Sequence, residues 1–74
     1  MLLNSIVMVV MKRMFVLFDN KFKPQVRAFL VANRIQYSIS FDFCAGLARV
    51  SVPHTKGVRL LAELRRSCIP YELL

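Results

Sequence analysis

Lys56, Arg59 and Arg66 recur at spacings that bring them roughly to one side of a helix, with Arg65 at its shoulder. Arg27 and Arg34, with Lys21 and Lys23 just upstream, form a second basic group. Ammonium and guanidinium groups arranged this way hold phosphate backbones without regard to sequence, or the carboxylates of an acidic protein surface. The overall balance agrees: eleven Lys and Arg stand against four Asp and Glu, a net charge of +7. Residues able to carry covalent or metal chemistry are few. Asp19 is a lone carboxylate, and one carboxylate per chain makes a poor magnesium site unless a dimer pairs two. Ser51 and His54 are close in sequence, but no carboxylate stands where it would orient a Ser–His pair. Cys44, Cys68 and His54 show no Cys-x-x-Cys or His-x-x-x-His spacing, which argues against structural zinc. Gly46 and Gly57 are too far apart to build a phosphate-cradling loop. These residues point to a non-enzymatic binding protein with no metal and no cofactor.

The elements that position the basic groups follow from periodicity. From Ile35 to Phe43 the chain alternates, with Tyr37, Ile39, Phe41 and Phe43 on one side and Gln36, Ser38, Ser40 and Asp42 on the other. That is a half-buried strand with one wet face. Lys12–Asp19 is a continuous apolar run of strand length, which predicts a central strand covered on both faces. Asn20–Lys23 reads as a basic loop. Pro24 suits the first turn of a helix over Gln25–Arg34 that buries Val26, Phe29, Leu30 and Asn33. Cys44-Ala45-Gly46 makes a hairpin connection in which the glycine takes positive φ. Leu47–Val52 is the next strand, with Ala48, Val50 and Val52 to one side and Leu47, Arg49 and Ser51 to the other. Pro53 ends it. Thr55 is then expected to cap a helix over Lys56–Ser67 with a stripe of Val58, Leu60, Leu61 and Leu64. Ile69–Leu74 is a last short strand, and Pro70 places it at a sheet edge.

The two halves echo each other. Val26-Arg27 leads to Ile35-x-Tyr37-x-Ile39, and Val58-Arg59 leads to Ile69-x-Tyr71-x-Leu73, with helices that differ by two residues. The order β-α-β-β-α-β predicts a ferredoxin-like α+β domain over residues 12–74, a four-stranded antiparallel sheet with both helices on one face. Tyr37, Ile39, Phe41, Phe43, Val50 and Val52 would face the helices. The open face would carry Ser38, Ser40, Asp42, Arg49 and Ser51, with either Phe15 and Leu17 or Met14, Val16 and Phe18 from the first strand. Its apolar middle, for which Phe15, Leu17 and Arg49 are the candidates, would be covered by a second copy of the chain, by an N-terminal arm or by a partner. A homodimer is the favoured expectation.

Residues 1–11 are apolar, yet a membrane-spanning helix needs about 20 such residues. They also lack the positive flank and small-residue cleavage site of a signal peptide. They read as an extra strand or arm, and Met8, Met11 and Met14 are each possible starts. The hydrophobic fraction of 57% exceeds the usual range of roughly 45–50%. Part of the excess lies in this arm. Two cysteines without a framework read as small buried thiols in a reducing, cytoplasmic compartment.

Phe15-Val16-Leu17-Phe18-Asp19, a hydrophobic strand ending in Asp, and Arg34-Ile35-Gln36-Tyr37-Ser38 resemble the small ferredoxin-like nucleases of CRISPR systems and related toxin–antitoxin proteins. The resemblance implies a dimer with Asp19 at its interface and metal-dependent phosphodiester cleavage. The arginine-rich segment that follows the Asp in that family is reduced here to Lys21 and Lys23. RNA-recognition domains share the topology and stack bases on aromatics of the two central strands. Met14-Phe15-Val16-Leu17-Phe18 fits the first of those motifs, but Leu47–Val52 has no aromatic. The function expected is a small basic regulatory or inhibitory protein that works by protein–protein contact. By analogy of size alone it is similar to modulators encoded by phages and other mobile elements. A nucleic-acid-binding module is the alternative.

Overall fold

The computed structural model describes residues 12–42, with Asp42 by its backbone alone, and residues 46–74. The expectations for residues 1–11, for Phe43 and for Cys44 fall outside the described residues. The chain order is β1 (Arg13–Asp19), a 3-10 turn (Asn20–Phe22), α1 (Lys23–Ala32), β2 (Ser38–Asp42), β3 (Leu47–Pro53), α2 (His54–Arg66) and β4 (Tyr71–Leu73). The strands form one antiparallel sheet in the order β2-β3-β1-β4. This is the ferredoxin-like α+β arrangement that the alternation and the β-α-β-β-α-β order predict.

Both helices pack on the same face. Val26 and Leu30 of α1 and Leu60, Leu61 and Leu64 of α2 share one core with Val16, Phe18, Ala48, Val50 and Val52 of the sheet. Tyr37, Ile39 and Tyr71 pack against its rim. The parity of β1, which its run of apolar residues leaves open, is decided here. Val16 and Phe18 point to the helices, while Phe15 is 42% exposed on the open face beside Leu17. Among the described residues the first strand is therefore central but covered by helices on one face only, because one layer of helices can cover one side of a sheet.

Several expected boundaries shift. The 3-10 turn replaces the basic loop, and α1 begins at Lys23 and ends at Ala32. The second helix starts at His54 directly after Pro53, so Thr55 is not the cap. Val58 is 73% exposed and is not in the stripe. Gly57 takes the inward place, where a Cβ would collide with the Met14 side chain. Gly57, Leu60, Leu61 and Leu64 then hold the i, i+3, i+4, i+7 positions. Pairing of β2 starts at Ser38 rather than Ile35, and of β4 at Tyr71 rather than Ile69.

The late starts of β2 and β4 share a cause. After each helix the chain turns through a left-handed residue, Arg34 with φ 56° and Cys68 with φ 56°. The Ile35 N–H then bonds the Leu30 carbonyl at 2.9 Å, and the Arg34 N–H the Val31 carbonyl at 3.1 Å. The Ile69 N–H bonds Leu64 at 2.8 Å and the Cys68 N–H bonds Arg65 at 3.1 Å. These are paired Schellman endings, and Ile35 and Ile69 are buried as their apolar contacts. The reversal also brings Cys68 to the surface, so that thiol is exposed rather than buried. A side chain in the left-handed region costs about 1–2 kcal/mol that glycine avoids, less glycine's entropy loss of about 0.5–1 kcal/mol. Arg34→Gly and Cys68→Gly are each expected to stabilise the domain by up to about 1 kcal/mol, read as a higher urea midpoint.

The endings also fix the repeat. Leu30 matches Leu64, Arg34 matches Cys68, Ile35 matches Ile69 and Tyr37 matches Tyr71, all with one shift in numbering. The same shift relates Val16 to Val50, which face each other in the β1–β3 ladder. It also carries the Val16–Leu73 pair onto the Val50–Ile39 pair. The structural partner of Val26 is thus Leu60, not Val58, and the 3-10 turn together with α1 spans the same length as α2.

Candidate binding surface

Assigning each charge to its element separates the two layers. The 3-10 turn, both helices and their endings carry Lys21, Lys23, Arg27, Arg34, Lys56, Arg59, Arg65 and Arg66 against Glu63 alone, which is the whole net charge of +7. The strands and the residue before them carry Lys12, Arg13 and Arg49, balanced by Asp19, Asp42 and Glu72. All the cations of the helical layer are exposed except Lys23, which is half-buried.

Within that layer three guanidinium groups, those of Arg59, Arg65 and Arg66, are held in place. Arg59 donates to the Asn33 side-chain oxygen at 2.8 Å, and the Asn33 amide donates to the Phe29 carbonyl at 2.8 Å. This chain of contacts ties the middle of α2 to the end of α1. Arg59 and Arg66 line a shallow interhelical groove with Phe29, Ala62 and Glu63. Arg66 grips Glu63 with both nitrogens, the closest contact being 2.7 Å. Arg65 turns away from this group and donates to the Tyr71 hydroxyl at 3.0 Å, against β4. Lys21 stands over the Phe22 ring, 5.2 Å from its centre, beside the end of β1. The structure thus brings Arg59 and Arg66 to one groove, with Arg65 on the opposite shoulder. Asn33 and Tyr71, which orient two of these groups, were not singled out as site residues. Asn33 was visible as a polar residue on the apolar face of its helix.

The Arg66 guanidinium holds the Glu63 carboxyl below its ordinary value, with the Ser67 hydroxyl adding to the effect. A lowered folded-state value means that this carboxylate contributes stability above its unfolded value and loses it as pH falls through the folded one. The end of α2 is therefore expected to loosen only in strong acid, below the ordinary carboxylate range. Glu63→Gln should flatten that part of the acid-unfolding curve, measured by helical circular dichroism from neutral pH downward.

The open face presents Phe15, Leu17 and Arg49, the first of the two alternatives that the sequence leaves open. The Arg49 guanidinium lies 6.0 Å from the Phe15 ring centre. Arg13, whose place on this face is not evident from sequence, donates through Nε to Ser51 Oγ at 3.0 Å and through Nη2 to the Ser51 carbonyl at 2.9 Å. Its parity with Phe15 places it there once the outward side of β1 is known. The Ser51 hydroxyl is therefore engaged by Arg13 and not by His54, which sits exposed at the start of α2. Asp19 accepts the Lys21 N–H at 2.9 Å and caps the 3-10 turn. Among the described residues no group of three or more His, Cys, Asp and Glu is arranged to hold a metal ion. None of the described helices is long and apolar enough to cross a membrane.

No family model, no curated protein and no solved structure matches this chain. Its surfaces have to be read from their own chemistry.

Proposed function

We propose that this chain is a small non-enzymatic regulatory protein that acts by contact, holding an acidic surface of a partner protein against its basic helical layer. The separation of charge carries the reading. A layer that holds the entire net +7 while the sheet is neutral creates a one-sided field, and such a field attracts and orients an acidic partner. Fixing Arg59 and Arg65 by the neutral side chains of Asn33 and Tyr71 lowers the entropy lost when they meet carboxylates. The exposed free thiol of Cys68 fits a reducing, cytoplasmic setting.

The same layer supports a second reading, a module that binds nucleic acid through phosphates, because its cations lie on two adjacent helices rather than in one short cluster. One experiment separates the two. Labelled polyglutamate, duplex DNA and RNA are titrated with the protein and with Arg59→Glu/Arg65→Glu/Arg66→Glu across a salt series. Binding of polyglutamate at least as tight as that of nucleic acid, lost in the triple variant, supports the protein-partner reading. Nucleic acid bound much more tightly promotes the second. Binding of neither at low salt sinks both.

A further inference from the structure

Among the described side chains of the open face, Arg13 and Arg49 balance Asp19 and Glu72, and these charges are sorted along the strands. Arg13 stands at one end, tied to Ser51, and the Arg49 side chain leans over Phe15 toward the same half. Asp19 closes β1 at the other end, and Glu72 stands opposite Leu17 in the β1–β4 ladder. Six residue steps at about 3.3 Å each separate the two ends by roughly 20 Å. Phe15 and Leu17 lie between them. The face is therefore positive at one end, negative at the other and apolar in the middle.

Two copies of a chain with net charge +7 repel each other. The repulsion is strongest when the helical layers approach and weakest when the neutral sheet faces meet with the helices outermost. We propose that the open sheet face docks a second copy of this chain, in a two-fold dimer whose β1 strands run in opposite directions. That orientation lays the Arg13 end of each copy over the Asp19–Glu72 end of the other, and brings Phe15 of each near Leu17 of the other at the axis. An isologous contact requires such self-complementarity, and an approach with parallel strands would instead set Arg13 against Arg13 and Asp19 against Asp19. Strands about 4.8 Å apart and roughly 20 Å long give a flat patch on the order of 400 Å² per copy. Counted over both copies this is about 800 Å², below the roughly 1,200–2,000 Å² of stable specific interfaces, so the dimer is a weak, reversible one that forms only at high protein concentration. The inference stands on the sheet face alone and is independent of what the helical layer binds.

The test is the mass of the full chain by sedimentation equilibrium, from low micromolar to several hundred micromolar. The expected result is a rise from one chain to two. Phe15→Glu, at a solvent-exposed position, should hold the mass at one chain, and Arg13→Glu should weaken association at least about tenfold. Arg13→Glu/Glu72→Arg should recover part of that loss, because residue 13 of each copy then meets a positive charge at residue 72 of the other in place of a like one. Recovery also distinguishes the charge contact from the internal bond between Arg13 and Ser51. Circular dichroism of each variant monitors its fold. A mass of one chain throughout the range overturns the proposal. So does association unchanged in either single variant, or a double variant no better than Arg13→Glu.

Discussion

Phe18→Ala is expected to leave most molecules unfolded at room temperature. Phe18 is 2% exposed and sits on the central strand between Ala48 of β3 and Tyr71 of β4. It is one of the largest fully buried side chains, and its neighbour Ala48 is too small to move into the space it would vacate. Truncating a buried phenylalanine costs about 3–5 kcal/mol, transfer and cavity together. A core of this size supplies a net of only about 3–5 kcal/mol, so the loss is comparable with the whole stability. Phe15→Ala on the same strand is the control: at 42% exposure it should cost well under half as much. Urea unfolding followed by circular dichroism reads both. A Phe18→Ala variant that melts like the unaltered protein would mean that the two helices do not share one core with the sheet.

Affinity for a polyanion is expected to fall steeply with salt, with a slope that reports the internal pairings of the helical layer. Arg66 is neutralised by Glu63, and Arg59 and Arg65 are partly engaged by Asn33 and Tyr71. About four or five cations are then fully available, and on duplex DNA each contact contributes about −0.9 to the slope of log K against log salt. Between about 50 and 200 mM salt the affinity should drop on the order of 10²- to 10³-fold. Glu63→Gln frees Arg66 and should steepen the slope by about one while tightening binding at low salt. Fluorescence anisotropy with a labelled duplex measures this directly. A slope near zero would mean that the layer does not touch the phosphates at all.

The alternation of Tyr37, Ile39 and Phe41, the alternation of Ala48, Val50 and Val52, and the helical spacing of Val26, Leu30, Leu60 and Leu64 made the sheet and its helices legible in the sequence. Period is a property of side chains along one segment, so it survives without a structure. What period cannot convey is how one segment is rotated against another. Val58 looked like a core residue until the contact between Gly57 and Met14 set the rotation of α2. Both parities of β1 are apolar, so only its ladder with Val50 could show that Phe15 faces outward. The helix endings were hidden because Arg34 and Cys68 occupy places where glycine is the usual signal. The basic residues of the candidate surface were evident from the count of charges. Their partners were not, since Arg59 reaches a residue on another helix and Arg65 one on a strand.

The strand order has a kinetic consequence. β1 and β2 belong to the same half of the chain, yet they are not neighbours in the sheet, and neither are β3 and β4. Neither half can form a ladder from its own strands. Among the described strands the β2–β3 hairpin is the one pairing that is local in sequence, and the ladder between β1 and β3 joins residues such as Val16 and Val50 from opposite halves. The chain must close long loops before the middle of its sheet gains a single hydrogen bond, which makes the early steps of folding uphill and the later ones mutually reinforcing. The two halves therefore reach their native form together in one cooperative event, and the early nucleus has to contain parts of both.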